Sequence, residues 1–92
     1  MTLAEALARL ADLEQTGQIH AVARETAAAL IQDPWLAEKM PSEIAPEYGA
    51  VRLTWGGRRF RVTPVGGVHD MVHPDAAARA ESRDAAYVAG LV

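Results

Sequence analysis

The sequence predicts an α+β fold, and three observations lead to this class. Two helical periodicities fill the first 31 residues, two alternating runs flank Gly56-Gly57, and an alanine-rich segment lies near the end of the chain. We therefore expect an N-terminal antiparallel helical hairpin plus a short third helix, a two- or three-stranded antiparallel sheet, and a C-terminal helix. The length of 92 residues fits a single small α+β domain over residues 1–92.

The first helix is expected over about residues 3–15. Thr2 and Glu5 have the spacing of a capping box, in which each side chain bonds the backbone N–H of the other residue. Gly17 is a natural stop, because glycine adopts the left-handed conformation that ends many helices. One stripe of this helix carries Leu3, Ala6, Leu7, Leu10 and Leu13.

A second helix is expected ahead of Asp33, joined to the first by a loop of two or three residues. Asp33 can cap a short third helix that starts at Pro34 and closes at Pro41. The apolar positions of the second helix keep the i, i+3, i+4, i+7 spacing: Ile19, Val22, Ala23, Thr26, Ala27, Leu30 and Ile31.

The segment VRLTWGGRRFRV, residues 51–62, is expected to form a β-hairpin that turns at Gly56-Gly57. This turn places Arg52 opposite Arg61. Side chains alternate along a strand, so one face should carry Val51, Leu53, Trp55, Arg58, Phe60 and Val62. The other face should carry Arg52, Thr54, Arg59, Arg61 and Thr63. The apolar face must cover the helices, since a lone hairpin is marginal in water.

The remaining segments are less regular. Residues 41–49 contain two prolines and a glycine and are expected to be a connector, anchored on the core by Ile44 and Tyr48. A short third strand fits residues 68–72, and a last helix is expected from Pro74 to about Ala89. The core is expected to contain Leu3, Leu7, Leu10, Ile19, Val22, Leu30, Ile31, Trp35, Leu53, Phe60 and Val62.

The composition excludes several classes of protein. Half of the residues are apolar and 23% are charged, which is ordinary for a folded domain. The lack of cysteine excludes disulfides, thiolate metal sites and a cysteine nucleophile. The N-terminus does not have the pattern of a signal peptide, and no apolar run is long enough for a membrane span. We therefore expect a cytoplasmic protein with no membrane partner.

The charge is unevenly spread. Residues 1–47 hold eight acids and three bases, whereas residues 48–92 hold six bases and four acids. Four arginines and no acid lie between Glu47 and Asp70. Two surfaces of opposite sign are the expected result.

The arginine-bearing face of the hairpin is the first candidate site. Arg52 and Arg61 face each other across the strands with Arg59 diagonal to them, and like charges in this arrangement destabilise a sheet. Arginine also suits bidentate contact with phosphate or carboxylate. Three arrangements remain open: heads solvated in water, an external anionic partner, or pairing with the chain's own Glu38, Glu43 or Glu47.

Trp55 and Arg58 extend this candidate surface near the turn. A cation–π contact between them would be structural. If the turn overhangs the core instead, Trp55 would be partly exposed and would be a contact point for a protein partner. The predicted partner- or anion-binding residues are thus Arg52, Arg59, Arg61, Trp55 and Arg58.

The acidic half offers a second surface, made of Glu5, Asp12, Glu14 and Glu25. Such charges usually keep a helical face in solvent. The sharper interpretation is that they engage a basic groove of another protein by charge mimicry.

No enzyme chemistry is indicated. His69 and His73 are four residues apart, but Pro74 disfavours the helix that would let them share a metal. No histidine has a serine nucleophile in a recognisable setting, and neither glycine pair matches a phosphate-binding loop. We expect no metal and no cofactor.

We therefore expect a non-enzymatic protein-binding module, such as an inhibitor, adaptor or assembly factor. Small proteins that bacteriophages direct against host machinery, immunity proteins and antitoxins have this profile, which is a likeness of type and not of motif. The alternative is a protein that binds nucleic acid or another anion through the arginine face. The apolar end, residues 87–92, also allows a homodimer.

Overall fold

The computed structural model describes residues 1–36, 38–71 and 88–90. Within these ranges, two helices and a short 3₁₀ helix precede a sheet of four antiparallel strands in the order β1-β2-β3-β4. The α+β class is confirmed, and the sheet has more strands than the two or three that we expected. The elements are α1 at Leu3–Gln15, α2 at Ala21–Ile31, the 3₁₀ helix at Pro34–Leu36, β1 at Glu43–Glu47, β2 at Ala50–Trp55, β3 at Arg58–Val62 and β4 at Val68–Asp70.

Helix α1 has the predicted boundaries because both of its ends are capped. The Glu5 backbone N–H donates to the Thr2 hydroxyl at 3.1 Å, and the Thr2 N–H donates to the Glu5 carboxylate at 2.9 Å. At the other end, the N–H groups of Gly17 and Gln18 donate to the carbonyls of Glu14 and Leu13. Gly17 has a φ of 76°, which is the left-handed conformation that this C-terminal motif requires.

The connection between α1 and α2 is longer than the two or three residues that we expected. It covers residues 16–20 and is tied to the sheet, because the His20 N–H donates to the Gly49 carbonyl at 2.9 Å. The two helices pack against each other and against the sheet. After α2, the Asp33 carboxylate accepts the Trp35 N–H at 3.0 Å, as predicted for a cap, but the 3₁₀ helix that follows ends at Leu36.

Strand β1 corrects the prediction of a connector over residues 41–49. Residues 43–47 pair with β2 in full register, and Tyr48-Gly49 forms a two-residue turn with positive φ at both positions. Pro46 was interpreted as evidence against a strand in this segment. A proline is nevertheless tolerated in an edge strand when its missing N–H would point away from the neighbouring strand.

The outer edge of β1 offers fewer free backbone groups to a further strand than an ordinary edge does. The hairpin closes on Glu47 and Ala50, so Ile44 and Pro46 direct their backbone groups away from β2. Arg9 of α1 donates from Nε to the Ile44 carbonyl at 3.2 Å, and Pro46 has no N–H. Both outward positions are therefore poor partners for another strand.

The β2–β3 hairpin has the predicted register. It turns at Gly56-Gly57 and pairs Arg52 with Arg61 and Leu53 with Phe60. Strand β4 pairs with β3 and confirms a strand near the predicted third position. Of the predicted C-terminal helix, the described residues 88–90 are helical, and its remainder lies outside the described residues.

The core lies between the helices and the inner face of the sheet. Most of the predicted core residues are buried, but Leu3, Val22, Trp35 and the supposed anchor Tyr48 are exposed, and Leu7 is half-buried. Helix α2 buries its alanine side, centred on Ala23 and Ala27, which turns Val22 outward. The 3₁₀ helix directs Leu36 inward and Trp35 outward.

Candidate functional site

The outer face of the sheet, opposite the helices, carries the predicted arginines. Arg52 on β2 lies opposite Arg61 on β3, and Arg59 is two positions along β3 on the same face. His69 on β4 lies opposite Arg61, so the middle row of this face has three basic residues side by side. We call this surface, formed by Glu43, Ala45, Glu47, Arg52, Thr54, Arg59, Arg61, Thr63 and His69, the outer face.

Strand β1 supplies the counter-charge for two of the arginines. Arg52 reaches Glu43 at 3.0 Å and Glu47 at 2.8 Å, and Arg61 reaches the other oxygen of Glu47 at 2.9 Å. Among the arrangements that the sequence left open, the structure has internal pairing for Arg52 and Arg61. The four side chains form one chain of ion pairs, which removes the repulsion expected between the facing arginines.

These contacts shift the protonation equilibria in the expected directions. Hydrogen bonds to Glu43 and then to Glu47 raise the pKa of Arg52. Burial alone would raise the pKa of Glu47, but its hydrogen bonds from Arg61 and Arg52 outweigh burial and hold the pKa below the ordinary value of 4.5. Glu47 is therefore the central acid of the outer face.

This shift gives a testable pH dependence of stability. Because the folded-state pKa of Glu47 is depressed, its contribution is complete above pH 4.5 and is lost as the pH falls through the folded value. We expect Glu47→Gln to lower the free energy of unfolding by about 1 kcal/mol at pH 7. Urea titrations should show the gap between the free energies of unfolding of the two proteins closing as the pH falls below 4.5. A gap that is constant with pH would contradict the assignment.

Arg59 differs from its two neighbours on the outer face. Its side chain is exposed, and in the described part of the chain it has no ion-pair partner. With three arginines and two glutamates, the outer face has an excess of one positive charge. This excess is small for a surface that would bind a phosphate backbone.

Trp55 and Arg58 lie on the inner face of the sheet. The indole of Trp55 is buried, donates from Nε1 to the Lys39 carbonyl at 3.1 Å and contacts Phe60 edge-on at 5.8 Å between ring centres. Arg58 donates to the buried Asp70 carboxylate at 3.3 Å. These two predicted contact residues are therefore separated from the outer face, and Trp55 is not the exposed tip residue that we considered.

One end of the outer face has a groove that we did not predict from the sequence. It has a volume of about 430 Å³ and is lined by Glu47, Tyr48, Ala50, Arg61, Thr63 and Pro64. Tyr48 is fully exposed at 107% of its reference area, and Val65 in the turn between β3 and β4 is 90% exposed. The available signal was the Tyr48-Gly49 pair between two strands, which we interpreted as part of a connector.

The acidic residues of the helices are only partly brought together. Glu14 and Glu25 both contact Arg24, at 2.5 and 3.5 Å, so a base neutralises this part of the surface. Glu5 belongs to the capping box of α1, where bonds from Thr2 lower the pKa of its carboxyl. Asp12 is exposed two turns further along the same helix.

Other kinds of site have little support in the structure. In the portion of the chain described, no three histidine, aspartate or glutamate side chains group in a way that could hold a metal. His73, one of the two spaced histidines, lies outside that portion. No helix within the described ranges has both the length and the apolar character needed to cross a bilayer.

Comparison with known proteins adds no relative: no family model, curated protein or solved structure matches the chain. The functional interpretation therefore depends on the geometry of the outer face and the groove.

Proposed function

We propose that the chain is a small, non-enzymatic protein-binding module whose contact surface is the outer face. The observation that carries this proposal is the chain of ion pairs from Glu43 through Arg52 and Glu47 to Arg61. It leaves a polar surface of small net charge, because Glu43 and Glu47 neutralise the charges of Arg52 and Arg61. A pre-organised polar surface beside exposed Tyr48 and Val65 fits a protein interface, in which aromatic and arginine residues are enriched. An inhibitor or an adaptor is the kind of activity that such a surface supports.

The same ion pairs argue against the alternative of nucleic-acid binding. A phosphate backbone is bound through unneutralised bases, and only Arg59 on the outer face meets this description within the described ranges. In addition, Trp55 is buried and gives no base a stacking platform.

We expect the purified protein to bind 20-nucleotide single-stranded DNA and RNA with a Kd larger than about 100 µM at 150 mM salt. This affinity is no higher than that of weak non-specific binding. Fluorescence anisotropy at several salt concentrations measures this. Tighter binding, with a steep fall of log affinity against log salt and loss in the Arg52→Gln/Arg61→Gln variant, would establish the alternative function instead.

The protein-binding function is tested by affinity capture with two matched charge reversals. Arg59→Glu changes the outer face, and Glu25→Lys changes the acidic helical surface; both residues are exposed, so the fold should tolerate each change. We expect the partner captured by the wild type from a lysate of the encoding cell to be lost with Arg59→Glu and retained with Glu25→Lys. Retention of the partner with Arg59→Glu and its loss with Glu25→Lys would instead place the contact on the acidic helical surface. That result would support charge mimicry.

A further inference from the structure

We propose that the groove beside Tyr48 binds a segment of the partner protein that presents a carboxylate next to an apolar side chain. This inference rests on the proposed protein-binding function and names the chemistry that the partner brings. Three observations carry it: the conformation of Tyr48, the apolar rim around the groove, and the donors that Arg61 leaves free to point into it.

Tyr48 occupies a position that does not favour tyrosine. Its φ of 50° is in the left-handed region, and with Gly49 at 90° it forms a turn in which asparagine followed by glycine is preferred. A bulky residue in this conformation is an outlier and costs about 1–2 kcal/mol. The ring recovers none of this cost by packing, because it is fully exposed. An exposed aromatic ring held at an energetic cost is consistent with use in a contact.

Apolar groups continue from Tyr48 across this end of the molecule. A Cβ built on Gly49 would lie 2.6 Å from Cδ2 of His20 and 3.7 Å from Cγ of Pro64, so His20 and the start of the β3–β4 turn both lie beside the β1–β2 turn. A Cβ built on Gly66 would lie 3.7 Å from Cγ1 of Val22, so the second turn touches α2. Tyr48 and Val65, on the two turns, and Val22, on α2, are exposed apolar side chains at this end of the structure.

Arg61 supplies the charge that selects the occupant. Its Nε donates to Glu47, its side chain is 45% exposed, and its terminal nitrogens form no hydrogen bond with a described residue. The guanidinium therefore has donors for a second carboxylate, which it can hold in a bidentate pair. Glu47 also lines the groove, but its two oxygens already accept from Arg52 and Arg61, so the unused donors of Arg61 are what attract an acidic segment.

The size of the groove favours a peptide segment over a larger surface. A volume of about 430 Å³ is within the range of sites that hold a few side chains. Among the lining residues, Tyr48 and Pro64 suit an aliphatic or aromatic side chain, while Arg61 suits the neighbouring acid. A phosphate would find the same arginine but would gain nothing from the apolar wall.

The experiment uses a peptide library displayed on phage, selected against the immobilised full chain, with enriched peptides synthesised and measured by anisotropy. We expect enriched peptides to carry aspartate or glutamate beside an apolar residue. Tyr48→Asn should weaken their binding at least tenfold while raising the melting temperature, because asparagine tolerates the left-handed conformation. A loss of binding in a more stable protein cannot come from unfolding.

Two matched controls separate the groove from general effects. Trp35→Ala removes another exposed aromatic residue, which follows the end of α2 remote from Gly49, and should leave binding unchanged. Lys39→Gln removes one positive charge at an exposed position outside both the groove and the outer face. We expect Arg61→Gln to weaken binding at least tenfold and Lys39→Gln less than threefold.

The outcomes that overturn the inference are distinct from those that overturn the proposed function. Peptides without an acid, no enriched peptide at all, or equal binding by wild type and Tyr48→Asn would exclude the groove as an acidic-segment site. If the wild type captures the partner and Arg59→Glu abolishes this capture, the proposed function stands and only the groove is wrong. Equal losses in Lys39→Gln and Arg61→Gln, together with tight oligonucleotide binding, would show a general charge effect and indicate nucleic acid.

Discussion

Phe60→Ala is expected to lower the free energy of unfolding by about 3–5 kcal/mol, the usual cost of removing a large aromatic side chain from a core. Phe60 has no exposed area, and its ring meets Trp55 edge-on in the layer between the sheet and the helices. Its removal deletes apolar contacts and leaves a cavity beside the indole. A chain of 92 residues has a total stability of only about 5–15 kcal/mol, so the variant should be close to unfolded at 37 °C.

Urea unfolding followed by tryptophan fluorescence measures this loss. Phe60→Leu is the control, because it retains most of the apolar volume and should cost less than about 2 kcal/mol. A loss below about 1 kcal/mol for Phe60→Ala would place this side chain in solvent, and the pairing of Leu53 with Phe60 would then be wrong.

Asp70→Ala is expected to destabilise the protein by about 2–4 kcal/mol, because it breaks an ion pair of which one member is buried. Asp70 is 1% exposed and accepts a hydrogen bond from Arg58. The Arg58 side chain is 22% exposed and can regain some hydration, which keeps the loss below that of a fully buried pair.

A double-mutant cycle with Arg58→Met isolates the ion pair from other contacts of Asp70. We expect the two single variants to lose more in sum than the double variant, with a coupling energy of at least about 1 kcal/mol. Thermal unfolding of the four proteins gives the cycle. Additive losses would show that Asp70 stabilises the fold through other groups.

The elements that could be predicted from the sequence are those fixed by local chemistry. The capping box of Thr2 and Glu5 set the start of α1, and Gly56-Gly57 with alternation on both sides set the β2–β3 register. In each case, the residues that decide the structure are neighbours in the chain. The four-strand sheet was not predicted because Pro46 is read as a breaker unless the strand is known to lie at an edge.

The errors in the predicted core also have a physical cause. Periodicity gives the apolar stripe of α2 but not which edge of the stripe meets the sheet, and the small Ala23 and Ala27 allowed a close approach that leaves Val22 outside. Trp35 was assigned to the core, whereas the 3₁₀ helix exposes it at 69%. Size alone does not bury an aromatic residue in a single turn.

The candidate site could be predicted only in part, because some of it depends on β1 and on the turn that follows this strand. Alternation placed Arg52, Arg59 and Arg61 on one face, and the structure has them there. Glu43 and Glu47 were among the three acids named as possible partners, but the choice of internal pairing over a solvated or externally bound face depended on β1, a strand that was not predicted. The groove depends on Tyr48 facing solvent, and this follows from the two-residue turn that the same missed strand creates.

The protected edge of β1 limits how copies of this chain can associate. Open strand edges are where native proteins begin to stack into fibrils, because unpaired backbone groups recruit the same groups of a neighbour. Here the Ile44 carbonyl is occupied by Arg9 and Pro46 offers no N–H, so templated growth at this margin is suppressed. We therefore expect fibril growth by strand addition to be less favourable at this edge than at a fully unpaired one.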